Sequence, residues 1–137
     1  MPEDVAHVLT ILAVEDLPSS LDFYRRAFPW ELTVEVPVYA EFTLPGGMRL
    51  GLYERESFGR NTGAAPISAP AGALLPTELY LHAAALEEAV ARVEAAGARL
   101  LAPLAPRPWG DEVVYFADPS GNVLALARPL TNASAAR

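Results

Sequence analysis

Few side chains in this sequence can do chemistry by themselves. There is no cysteine, which excludes thiolate nucleophiles, thiolate metal ligands and disulfides and leaves oxygen, nitrogen and shape to work with. The two histidines, His7 and His82, fall in stretches that read as strands. Side chains two apart on a strand share a face, so Tyr80 and His82 lie with Glu78, and His7 lies with Leu9. Two imidazoles and a carboxylate facing one cavity would be a donor set for a divalent ion. The plainer reading, which carries more weight, has His82 bonded to a neighbour and His7 at the surface where its strand begins. If Glu78 faces a cavity it needs a partner, because an unpaired buried carboxylate is costly. That partner is either a basic or hydrogen-bonding group on a ligand or an arginine of the chain.

Aromatic residues offer recognition instead of reactivity. Trp109 stands before a glycine, and a flat indole stacks on a planar ligand while losing little side-chain entropy. With equal weight it sits in a dimer core or caps a sheet edge. Trp30 follows a helix pattern and is expected to seal that helix against a sheet. Tyr39, Phe42, Tyr53 and Tyr115 add aromatic surface on strands, with facings that depend on strand register, and most of them are expected in the core.

Elements must position these groups, and the composition supports a packed domain. The chain has 137 residues, 52% of them apolar, enough for one core. Seventeen acidic against ten basic residues give a formal charge of −7, the wrong sign for a phosphate backbone, so nucleic acid is not an expected partner. The opening Met1, Pro2, Glu3, Asp4 is neither basic nor followed by an apolar run, and no stretch reaches the roughly 18 apolar residues of a membrane span. A cytoplasmic protein without a membrane partner is expected.

Val8 to Val14 reads as a buried strand. Glu15, Asp16 and Pro18 then supply helix-start chemistry, and Leu17, Leu21, Tyr24 and Phe28 form one helical stripe. Strands are expected over Glu31 to Val36, Tyr39 to Leu44 and Met48 to Tyr53, the last two joined by a tight turn at Pro45, Gly46 and Gly47. Residues 54–76, rich in glycine, alanine, serine and proline, read as a linker or covering loop. The order then restarts. Glu78 to Ala83 is a strand, and Leu86, Val90 and Val93 lead a second helix to Gly97. Arg99 to Leu101, Glu112 to Ala117 and Val123 to Ala127 complete the set, the last two joined by the turn Asp118, Pro119, Ser120, Gly121, Asn122. A shift of 69 places carries Leu17 onto Leu86, Leu21 onto Val90 and Tyr24 onto Val93, so a βαβββ unit is duplicated.

With that order, the segments AVEDLPSSLDFYRRAF, LEEAVARVEAAGARLL and PWGDEVVYFADPSGNVLAL resemble the vicinal oxygen chelate superfamily of glyoxalases, extradiol dioxygenases and bleomycin-resistance proteins, over residues 6–128. The resemblance implies an α+β fold: two βαβββ modules forming curved mixed sheets around a cleft, in a homodimer with intrachain or domain-swapped pairing. One domain is expected over 1–137, with module 1 at about 6–54, a linker at about 55–76, module 2 at about 77–128 and a frayed tail at 129–137. Metal-dependent members hold their ion from the first and fourth strand of each module, which places the four positions at Leu9, Gly51, Glu78 and Ala125. Three of these cannot ligate, and open-site metal enzymes typically keep about three protein ligands, so no metal, cofactor or catalytic residue is expected. Drug-binding relatives often present an aromatic ring near Trp109, and linkers in the family border the cavity, which would let Arg55, Arg60 and Asn61 clamp a ligand; a solvated loop is the preferred alternative for these three. The implied function is non-catalytic binding of a planar, largely apolar or cationic compound such as an antibiotic, with Trp109, Glu78, Tyr80, His82, Tyr53, Leu9, Gly51, Phe42 and Arg55 as ligand residues. The alternatives are a glyoxalase-like lyase or isomerase, or a dioxygenase, with a displaced metal site, and an accessory dimeric module with a vestigial cleft.

Overall fold

A computed structural model describes residues 4–131. The frayed tail expected at the C-terminus lies largely outside the described residues. Contacts divide the chain into two compact units, unit 1 comprising Met1–Arg25 and Pro29–Ser68 and unit 2 comprising Arg26–Phe28 and Ala69–Arg137.

Unit 1 is built from β1 (Leu9–Val14), α1 (Leu17–Ala27), β2 (Glu31–Val36), β3 (Tyr39–Thr43) and β4 (Arg49–Glu54). Asp16 starts α1, its Oδ1 accepting from the Ser19 backbone N–H at 3.3 Å, which satisfies one of the amides a helix start leaves free. The strands form one sheet in the order β1-β4-β3-β2, with β1 and β4 parallel. Alternation sorts the side chains. Leu12, Val14, Ala40, Phe42, Leu50 and Leu52 are buried with Leu17, Phe23 and Tyr24 of α1, and Gly51, Tyr39, Glu41 and Tyr53 lie on the opposite face. Trp30 stacks on Tyr24 with centroids 6.4 Å apart and meets Phe42 edge-on, sealing helix against sheet.

Residues 54–76 are not loop throughout: Arg55–Thr62 form α2. Its sequence, RESFGRNT, carries one large apolar residue, Phe58, so no helical stripe announces it. Gly59 is needed there, because a Cβ would come within 2.7 Å of the Ala65 backbone.

Unit 2 repeats the order with β5 (Glu78–His82), α3 (Leu86–Ala95), β6 (Arg99–Pro106), β7 (Asp111–Ala117) and β8 (Val123–Pro129). The sheet runs β5-β8-β7-β6, again with one parallel pair, β5 and β8. Leu124, Leu126, Phe116 and Val114 are buried with Leu86, Ala89 and Val93 of α3. Strand β6 is longer than the three residues expected; its prolines sit on a sheet edge, where a missing N–H costs little, and its register slips twice against β7. No helix among the described residues is long and apolar enough to cross a membrane.

Candidate functional site

In each unit the sheet face turned away from the helix carries the polar groups, and the position that the resemblance assigns to a metal ligand on the fourth strand holds a small residue, Gly51 or Ala125. In unit 1 that residue is Gly51, flanked across the sheet by Ile11 and Glu41. Leu9, half-buried on β1, is paired with Arg49. A Cβ at Gly51 would meet Tyr39, whose Cε1 and Cζ lie 2.7 and 2.9 Å from where it would stand and whose hydroxyl is nearer still. The Tyr39 ring therefore occupies the space a longer residue at 51 would take. Its hydroxyl donates to Glu41 Oε1 at 2.6 Å, and Arg49 Nη1 donates to Glu41 Oε2 at 3.0 Å. Glu41 is 7% exposed, and these partners compensate its buried charge.

Burial, and then the hydrogen bond to the Glu41 carboxylate, push the Tyr39 phenol well above its ordinary value of 10.0. The folded phenol keeps its proton to higher pH than the unfolded one. Its stabilising contribution is therefore complete below the ordinary value and falls as pH rises beyond it. Tyr39→Phe is expected to remove this component: urea unfolding of wild type and variant at about pH 8 and about pH 11 should give a free-energy gap that narrows at the higher pH. A gap of constant size would show that neither burial nor the Glu41 carboxylate holds the proton on Tyr39.

Tyr53, on the same face, meets Tyr39 edge-on at 5.3 Å and Phe58 of α2 at 5.9 Å, and its hydroxyl accepts from Asn61 Nδ2 at 2.9 Å. Two residues expected at the ligand stand elsewhere. Phe42 lies on the helix-facing side of the sheet and is fully buried, because it alternates with Glu41 along β3. All three guanidinium nitrogens of Arg55 are engaged, with Glu15, the Pro66 carbonyl and Glu56, so it fastens α2 to the start of α1. Arg60 is bonded to Ser57.

Unit 2 has the more developed face. Tyr80, Ala125 and Tyr115 form one cross-strand row, and His82, Ala127 and Val113 the next. Val113, Ala125 and Ala127 are fully buried and make an apolar floor, against which Tyr80, Trp109 and Tyr115 pack. The expected metal position, Ala125, is thus covered by aromatic rings. Glu78 is exposed at the start of β5. A hydrogen-bonded chain fixes the rim. Trp109 Nε1 donates to the Tyr80 hydroxyl at 2.7 Å, Tyr80 donates to Asp111 Oδ2, and His82 Nε2 lies 3.2 Å from the same oxygen. Asp111 is 3% exposed, whereas the His82 side chain is 52% exposed. Trp109 is aimed by the turn into β7, where the Arg107 N–H bonds the Asp111 carbonyl and Gly110 takes φ 95°, a conformation that favours glycine.

Sequence reasoning missed Asp111, Arg107 and the floor. Alternation along β7 carries Asp111, Val113 and Tyr115 to one face, which is the signal that could have found them. His7 is exposed and its Nε2 lies 3.0 Å from Thr10 Oγ1. Among the described residues no three His, Asp or Glu side chains gather to hold a metal ion, and of the four positions the resemblance assigns, Glu78 alone carries a donor side chain.

The profile of the Glyoxalase/Bleomycin resistance protein/Dioxygenase superfamily matches residues 4–126. Similar solved structures include a glyoxalase-related enzyme from Fulvimarina pelagi, 26% identical with a TM-score of 0.77, covering 89% of this chain and 86% of that one. A glyoxalase/bleomycin resistance protein/dioxygenase from Nocardioides is 23% identical with a TM-score of 0.77, covering 97% and 89%. A lactoylglutathione lyase from Agrobacterium tumefaciens is 24% identical with a TM-score of 0.66, covering 92% and 95%. At this identity the last two show the fold alone. Among curated proteins none matches the chain.

Proposed function

Because this chain belongs to the Glyoxalase/Bleomycin resistance protein/Dioxygenase superfamily, whose members bind small molecules, we propose that it is a non-catalytic binding protein that sequesters a planar, antibiotic-like aromatic compound and acts as a homodimer. The observation that carries this reading is the unit 2 face. Three rings, from Tyr80, Trp109 and Tyr115, stand over a floor of Val113, Ala125 and Ala127, the usual composition of a site for a flat apolar body. The bonds through Tyr80 to buried Asp111 hold Trp109 and Tyr80 in place, so little side-chain freedom is lost when a ligand stacks there.

Trp109 also reports the binding. In a Trp30→Phe background, which leaves Trp109 as the single indole of the chain, titration with a panel of planar antibiotics should quench its fluorescence saturably. In the two-tryptophan protein, read by thermal shift, Trp109→Ala should weaken the same compounds about tenfold or more. Absence of saturable binding across the panel would sink the proposal.

An enzyme reading, as a metal-dependent lyase, isomerase or dioxygenase, draws support from Glu78, which keeps a donor at one of the four family positions and is exposed. Protein purified without chelator and carrying about one equivalent of divalent ion, lost on Glu78→Ala, would promote it over sequestration.

A further inference from the structure

We propose that the compound bound on the unit 2 face carries an anionic group, a carboxylate, sulfonate or phosphate attached to its ring system, and that Arg107 receives it. The inference rests on the binding reading above and names the chemistry of its ligand.

Arg107 leads the turn into β7 and lays its guanidinium over the Tyr115 ring, 5.1 Å from the centroid. Tyr115 is one of the three rings on the apolar floor, so the cation belongs to the same face. Its bonding is incomplete. A guanidinium has five N–H donors, and here Nη2 reaches the Val113 carbonyl at 3.5 Å, a long contact, while Nε is buried with no acceptor. The other arginines near acidic side chains form ion pairs: Arg49 with Glu41, Arg55 with Glu15 and Glu56, Arg128 with Glu87 and Glu112. Arg107 takes part in none of the ion pairs among the described residues, in a chain with seventeen acidic residues against ten basic.

A half-buried cation stacked on an aromatic face, short of acceptors and without a counter-ion among the described residues, matches what an incoming anion attached to a flat ring requires. The ring system stacks on the aromatic rings that cover the floor, Trp109 among them, and the anionic group meets the guanidinium, where a planar fork of donors suits carboxylate and phosphate geometry. The formal charge of −7 opposes the approach of an anion at long range and is screened by salt, whereas contact with Arg107 acts at hydrogen-bond distance. The resemblance implied an apolar or cationic compound; Arg107 favours the opposite sign.

Three probes with one ring system test it: 9-anthracenecarboxylate, 9-anthracenemethanol and 9-(aminomethyl)anthracene. They are titrated into wild type and Arg107→Gln, with thermal unfolding recorded for both proteins. The carboxylate should bind wild type about tenfold more tightly than the alcohol and more tightly still than the amine, and Arg107→Gln should abolish that preference while changing alcohol affinity by less than about threefold. Equal binding of all three to wild type, or a preference that persists in Arg107→Gln, overturns the proposal and leaves the binding reading standing. Failure of all three together with the antibiotic panel removes both. The comparison of probes on wild type stands by itself if the variant does not fold.

Discussion

Replacing Asp118 with alanine should destabilise the fold by about 3 kcal/mol, read as a lowered urea midpoint with an unchanged slope. The carboxylate organises the turn between β7 and β8. Oδ1 accepts from the backbone N–H of Ser120 at 3.0 Å and of Asn122 at 2.8 Å, and the Asn122 side-chain amide lies 3.1 Å from Oδ2. Asp118 is 5% and Asn122 2% exposed, so water does not replace the lost acceptor, and each stranded donor carries its own desolvation penalty. The effect extends beyond the turn. Asn122 Oδ1 accepts from the Thr77 hydroxyl, and the Val123 N–H bonds the Thr77 carbonyl, which sets the start of β5 against β8 and with it Tyr80 over Ala125. Asp118→Asn should cost about 1–2 kcal/mol, since the remaining oxygen still serves the two backbone amides while its new N–H₂ faces that of Asn122. A loss under 1 kcal/mol for the alanine variant would mean that the turn is held by its backbone alone.

That turn was legible in the sequence because proline, glycine and asparagine act through local backbone preferences. The helices were legible for a similar reason: Leu17, Leu21 and Tyr24 recur as Leu86, Val90 and Val93, and both stripes are used as expected, with Leu17, Tyr24, Leu86 and Val93 buried. Helix α2 was hidden because its role is polar anchoring: Arg55 ties it to Glu15 and Asn61 bonds Tyr53, and neither contact has a period. The candidate site was half legible. Alternation put Glu78, Tyr80 and His82 on one face, but the importance of Asp111 arises from Tyr80, 31 residues away, a pairing set by the β5-β8-β7 order and by nothing local. Phe42 shows the converse. Its aromatic type suggested a ligand contact, and only the register of β3 against β4 assigns it to the core.

Gly51→Ala is expected to cost about 2 kcal/mol in wild type, and to cost nothing or stabilise by up to about 1 kcal/mol when Tyr39 is alanine. The added methyl would press on the Tyr39 ring, which cannot swing away freely: it is tied to Glu41 and packed edge-on against Tyr53. Moving it strands one oxygen of a carboxylate that is nearly inaccessible to water. With the ring removed, the methyl enters open space, and alanine is favoured over glycine in a strand by about 0.5–1 kcal/mol through the unfolded chain. The four unfolding free energies form a double-mutant cycle, with an expected coupling of about 2–3 kcal/mol between positions 39 and 51. Additivity would show that the ring gives way at no cost, and a ligand-bearing residue at 51 could then be regained by one substitution. Strong coupling would show that this position is closed to a longer side chain because tyrosine, hydrogen-bonded carboxylate and arginine have consolidated around the space, so that Glu at 51 would require Tyr39 to change first.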